Sequence, residues 1–149
     1  MELEWWQPFF VTIATVVITK LVDHVIAISK EKRELSKARK SKKIDQIENL
    51  MDELSVYFEV AMSWKPYSEK ACHYEKLFSD DDALIGKYNR YKNIVSHGRE
   101  VLHYCKIIAS EESPNTPLKV DNTKELKDVL SKKYHEFITV CEQEIKTTA

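Results

Sequence analysis

Between Pro8 and Pro66 the chain holds neither glycine nor proline, so nothing in that stretch carries the local chemistry that stops a helix. All 149 residues include only two glycines and four prolines, and 32% are charged. That balance favours long helices over a turn-rich sheet fold. The expected fold is all-α: a transmembrane segment over 1–29, a basic juxtamembrane collar over 30–43, and a cytoplasmic helical bundle over 44–149.

The glycine-free stretch opens on an apolar run. Phe9 to Thr19 carries no charge, and Leu21, Val22, Val25, Ile26, Ala27 and Ile28 extend it. From Trp5 to Ser29 a helix rises about 37 Å, against roughly 30 Å of bilayer hydrocarbon. Trp5 and Trp6 stand where interfacial aromatics belong, and Pro8 falls in the first turn, where its missing N–H costs little. A signal peptide places its basic flank before the apolar core; here the flank follows, and no small-residue cleavage site is present.

Eight basic residues crowd the collar: Lys30, Lys32, Arg33, Lys37, Arg39, Lys40, Lys42 and Lys43, against Glu31 and Glu34. From residue 44 onward 14 basic residues face 19 acidic ones, so a basic collar joins an apolar start to an acidic domain. By the positive-inside rule the expected protein is single-pass in the cell inner membrane, with the tail bearing Glu2 and Glu4 outside and the bundle in the cytoplasm. Lys30, Lys32, Arg33, Lys37, Arg39 and Lys40 are the expected headgroup contacts, with anionic lipid attracted by about 1 kcal/mol per basic residue.

The apolar helix is not uniformly greasy. Thr12, Thr15, Thr19 and Asp23 fall within about 80° of arc at helical winding, with Lys20 at one edge and His24 further round. In one reading each threonine bonds its own i−4 carbonyl and the three ionisable groups sit near the inner headgroups. In the other, several copies assemble with Thr12, Thr15, Thr19, Lys20 and Asp23 turned inward as a wet path or polar interface, since intramembrane charge is costly unless it faces protein or water. A helix lying flat on the surface fits poorly, because the opposite face carries no basic row.

Helical periodicity resumes at Ile44, Ile47, Met51, Leu54, Phe58 and Ala61, widened by Leu50, Tyr57 and Met62, and predicts one rod to about Trp64, ended by Lys65-Pro66. A shorter helix is predicted over 68–78 with Ala71, Tyr74, Leu77 and Phe78 inward. Ser79 and Asp80 to Asp82 read as the start of the next. That next helix carries an apolar stripe from Leu84 through Tyr88, Tyr91, Val95, Gly98, Leu102 and Cys105 to Ala109, with Ile94, Val101 and Ile108 beside it. Ser113 to Pro117 is a loop, and Asn122 with Glu125 resembles a capping box. The last helix turns Leu126, Leu130, Tyr134, Phe137, Cys141 and Ile145 inward. Four such helices fit a compact antiparallel bundle.

Catalytic signatures are missing: no phosphate-cradling glycine loop, nucleophile elbow, HExxH or CxxC. Neither enzymatic activity nor a cofactor is expected. Three cysteines, Cys72, Cys105 and Cys141, suit a reducing compartment better than a disulfide framework. His103 and Cys105 are two apart on a helix and point away from one another, so no metal site is expected.

Residues 84–109 hold Lys87, Arg90, Lys92, Arg99 and Lys106 against Glu100 alone, interleaved with Tyr88, Tyr91, His97, His103 and Tyr104. Cations beside aromatics hold nucleotides by phosphate pairing and stacking, which marks Lys87, Arg90, Tyr91, Lys92, His97 and Arg99 as a candidate anionic-ligand site for a nucleotide or oligonucleotide. The competing reading is an ordinary solvated face, with Tyr88 and Tyr91 claimed by the core.

In layout the chain resembles the membrane effectors of bacterial anti-phage systems, and among them is similar to the Hailong-type effector. The resemblance rests on the segment containing Thr12 to Asp23, the collar and the helical domain, and covers the arrangement of parts alone. It implies an oligomeric channel, controlled by an oligonucleotide, that stays closed until infection and then permeabilises the inner membrane. The expected function is thus a homo-oligomeric membrane effector. The alternative is a passive membrane-tethered adaptor whose bundle binds a partner protein.

Overall fold

The computed structural model describes residues 6–115 and 120–149; for 80–82, 84, 120 and 121 it describes the backbone alone. The described residues form four helices and no strand: α1 Gln7–Met62, α2 Tyr67–Gly86, α3 Lys92–Glu112 and α4 Val120–Thr148. The protein is all-α. It divides into two compact units, Met1–Lys42 and Lys43–Ala149, each taken by itself below.

In the first unit, Trp6 and α1 from Gln7 to Lys42 are solvent-exposed at every residue except Ser29, which is half-buried. No core supports this stretch, and the basic collar does not interrupt the helix. Exposed apolar side chains include Phe9, Phe10, Ile18, Leu21 and Val25, each more than half exposed. Apolar surface on that scale needs a covering of lipid or protein.

The second unit packs the end of α1 with α2, α3 and α4 around one core. Ile47, Leu50, Leu54 and Ala61 of α1 are buried, as are Ile94, Val95, Val101, Leu102, Cys105, Ile108 and Ala109 of α3 and Leu130, Phe137 and Cys141 of α4. Each fully buried aliphatic or aromatic side chain contributes about 2 kcal/mol of transfer free energy. Gly98 marks the closest crossing: an added Cβ would stand 3.2 Å from Leu54 Cδ1 and 3.6 Å from Phe137 Cε2. Phe58 stacks on Tyr134 with centroids 4.0 Å apart.

Several expectations need correction. No helix starts at 79–82; α2 runs through that segment to Gly86. Ser79 donates its hydroxyl back to Lys76 O at 3.2 Å, the bond of a residue inside a helix rather than of an N-cap. Phe78, predicted inward, is 50% exposed, with Lys106 Nζ 5.9 Å from its ring centroid.

The stripe from 84 to 109 is not one helix. Residues 87–91 form a turn, tied by Tyr88 N–H to Ile85 O at 2.9 Å, Asn89 N–H to Gly86 O at 3.3 Å and Tyr91 N–H to Tyr88 O at 2.9 Å. These i→i−3 bonds wind the chain tightly, yet Ile85 and Tyr88 stay on the core side. Periodicity alone therefore reads through the break. Asn122 and Glu125 do not form a capping box, because α4 has begun by Val120 and both residues are exposed within it. The predicted loop residue Pro117 and the stripe position Leu84 lie outside the described residues and described side chains respectively.

Candidate functional site

The described part of the apolar segment has a mean hydropathy of 1.9 over its best 18-residue window, with none of that window buried. One helix is thus long and apolar enough to cross a membrane. At its start Trp6 and Phe10 meet edge to face, with centroids 5.6 Å apart; Trp5, Glu2 and Glu4 lie outside the described residues.

Each threonine of the stripe donates its hydroxyl to the carbonyl one turn back: Thr12 to Pro8 O, Thr15 to Val11 O and Thr19 to Thr15 O, all at 2.8 Å. Lys20, Asp23 and His24 are exposed. Among the described residues none of the three has a hydrogen-bond or ion-pair partner. The stripe therefore holds two chemistries, hydroxyls satisfied within the helix and charges that are not. In the collar, Lys30, Lys32, Arg33, Lys37, Arg39 and Lys40 are all exposed, and at helical winding they fall within one half of the helix circumference.

The cationic candidates of the second unit are dispersed. Lys87, in the turn, reaches Glu53 Oε1 of α1 at 2.7 Å, and that carboxylate raises the lysine's pKa. Tyr91 donates its hydroxyl to Gln46 Oε1 at 2.8 Å, and Lys43 lies 5.9 Å from its ring centroid. His97 Nδ1 is 2.9 Å from Asn93 O, where it donates. Arg90, Lys92 and Arg99 are exposed. Lys92 and Arg99 fall within about 20° of each other on α3, with His97 well round the helix from both. The structure thus brings together a Lys92–Arg99 edge, and ties Lys87 and Tyr91 to α1 instead.

Sequence reasoning missed the most buried polar cluster. Lys70 of α2 and Lys127 of α4 are 2% and 3% exposed, and both hold Glu112 of α3. Lys70 Nζ lies 3.1 and 2.9 Å from the two carboxylate oxygens, and Lys127 Nζ lies 3.3 Å from Oε1. Tyr74 donates its hydroxyl to Glu112 Oε2 at 2.8 Å. Both ammonium groups also donate to Ser63 O just beyond the end of α1, Lys127 at 3.1 Å. Lys127 Nζ further sits 3.8 Å from the Trp64 ring centroid.

Two cations at the carbonyl end of a helix complement its dipole and satisfy an orphan acceptor. Burial, with the Glu112 carboxylate opposing it, lowers the Lys127 pKa, and burial together with Glu112 raises that of Tyr74. The cluster joins all four helices of the unit. A depression of about 320 Å³ beside it is lined by Glu59, Val60, Ser63, Lys65, Glu69, Lys70 and His73. Spacing gave no signal for this cluster, since lysines and glutamates at helical intervals normally read as solvated.

Cys105 and Cys141 are buried, and burial pushes both thiols up to about 12, so they pack as small hydrophobes; Cys72 is exposed. Among the described residues no three metal-ligating side chains converge. No protein-family model, curated protein or solved structure matches this chain.

Proposed function

We propose that the chain is a homo-oligomeric membrane effector: copies associate through the apolar segment of α1, and the helical domain, acting as a cytoplasmic sensor, controls whether the assembly permeabilises the inner membrane, as in anti-phage defence. The observation that carries this reading is an exposed, membrane-length apolar helix interrupted by three ionisable groups without partners among the described residues. Such groups are costly in hydrocarbon unless they face another helix or water. The Lys92–Arg99 edge is the part of the cationic surface suited to an anionic ligand such as an oligonucleotide.

The test is reconstitution of the full chain into liposomes loaded with a self-quenched dye. A permeabilising effector releases the dye, and Asp23→Leu changes the release rate several-fold; an inert anchor gives none with either protein. In parallel, Arg99→Glu weakens oligonucleotide binding measured by anisotropy, whereas unchanged affinity removes that ligand class.

A second reading is favoured by the threonines. Their hydroxyls are already bonded within the helix, as in a passive anchor. The bundle would then serve as a tethered adaptor for a partner protein, and the full chain would be monomeric in mild detergent.

A further inference from the structure

Lys20 and Asp23 differ by three positions, hence about 4.5 Å along the helix and about 60° around it. Counted from Trp6 at one interface, they lie roughly 21 and 25 Å into a hydrocarbon layer of about 30 Å. The Cα–Cβ bonds of a helix lean toward its N-terminus. Both side chains therefore start out leaning toward the bilayer middle rather than toward the collar, which works against snorkelling to the nearer headgroups. Asp23, with the shorter side chain, is least able to escape. Yet the two do not pair within the chain, and His24 pairs with neither.

Each helix thus offers a cation on one flank and an anion on the next, at nearly the same depth. That arrangement is self-complementary between parallel copies. The occupant it fits is a second copy of this chain, because equal depth in one membrane orientation brings a neighbour's Asp23 within reach of the long Lys20 side chain. The threonine edge lies on the other side of Asp23 from Lys20, so the contact leaves it uncovered.

We infer that Lys20 of one copy pairs with Asp23 of its neighbour inside the bilayer, and that this pair sets the register of the assembly. The inference rests on the oligomeric reading above and names the contact that reading lacks. In-membrane charge pairs are made because the unpaired alternative is worse, so breaking them is expected to be expensive.

The experiment measures self-association of the full chain in mild detergent by analytical ultracentrifugation. Lys20→Asp and Asp23→Lys each set like charges against one another and lower the association constant by at least about tenfold, and the double exchange restores it. An equimolar mixture of Lys20→Leu and Asp23→Leu chains retains one complementary pair and associates more strongly than either variant alone. A wild-type oligomer indifferent to the single exchanges overturns this inference while leaving the oligomeric reading standing. Rescue by the double exchange without mixing-dependent association also overturns it, since that pattern marks a pair within one chain. A monomeric wild type overturns both.

Discussion

Glu112 is the residue on which the second unit's polar interior turns. Its carboxylate faces two buried ammonium groups and a buried phenol, so losing its charge leaves two lysines with a carbonyl, a ring and no counter-ion. Glu112→Gln is expected to cost about 3–5 kcal/mol, read as a lower thermal midpoint by circular dichroism. Lys127→Met should cost much less, because it removes the excess cation and keeps the Lys70–Glu112 pair. None of this was legible in the sequence: Lys70 and Glu112 are 42 positions apart, and nothing local distinguishes them from solvated charges. The cysteines were more readable, as Cys105 and Cys141 fall on apolar stripes. Each thiol is held near 12 in the fold against an ordinary 9.0. Their contribution is therefore full below about pH 9 and is lost as pH rises toward 12, because the unfolded chain releases protons that the folded one keeps. The thermal midpoint should fall over that window, and the Cys105→Ala, Cys141→Ala double variant should show a shallower fall from a lower neutral value.

Among the elements, α1 was the most legible because its information is continuous: no glycine or proline interrupts it, and it ends at Met62, close to the predicted Trp64. The α2–α3 boundary was the least legible. Helix and tight turn both keep an apolar residue facing the core every three or four positions, so Ile85, Tyr88 and Val95 fit one helix as well as two. Gly86 offered the one local hint. A mid-helix glycine such as Gly98 is costly unless another element approaches closely. Its space is already taken by Leu54 and Phe137. Gly98→Leu should destabilise the fold by about 1–3 kcal/mol through overpacking. Gly86→Ala, with nothing within 4 Å of the added carbon, should be neutral or slightly stabilising in the same denaturation measurement.

For the molecule as a whole, the collar is what the proposed orientation depends on. Replacing its eight basic residues with glutamine removes the charge bias, and a mixed orientation is expected. Cys72 reports it, being the exposed thiol while Cys105 and Cys141 are buried. A membrane-impermeant maleimide should label Cys72 in inverted vesicles for the parent, and in both vesicle types for the variant. The all-α content and the long apolar helix were legible at this scale because hydropathy and charge are carried by long blocks. The proposed association has no such signature, because pairing between copies would leave no mark on a single chain's periodicity.

The inward donation by Thr12, Thr15 and Thr19 has a chemical consequence for anything that meets that edge. With the protons committed to backbone carbonyls, the hydroxyl oxygens present only lone pairs. The edge is electron-rich along its length. A conduit bordered by it would discriminate by the sign of the permeant, favouring potassium over chloride, and under a salt gradient across a planar bilayer its zero-current voltage would move toward the potassium equilibrium value.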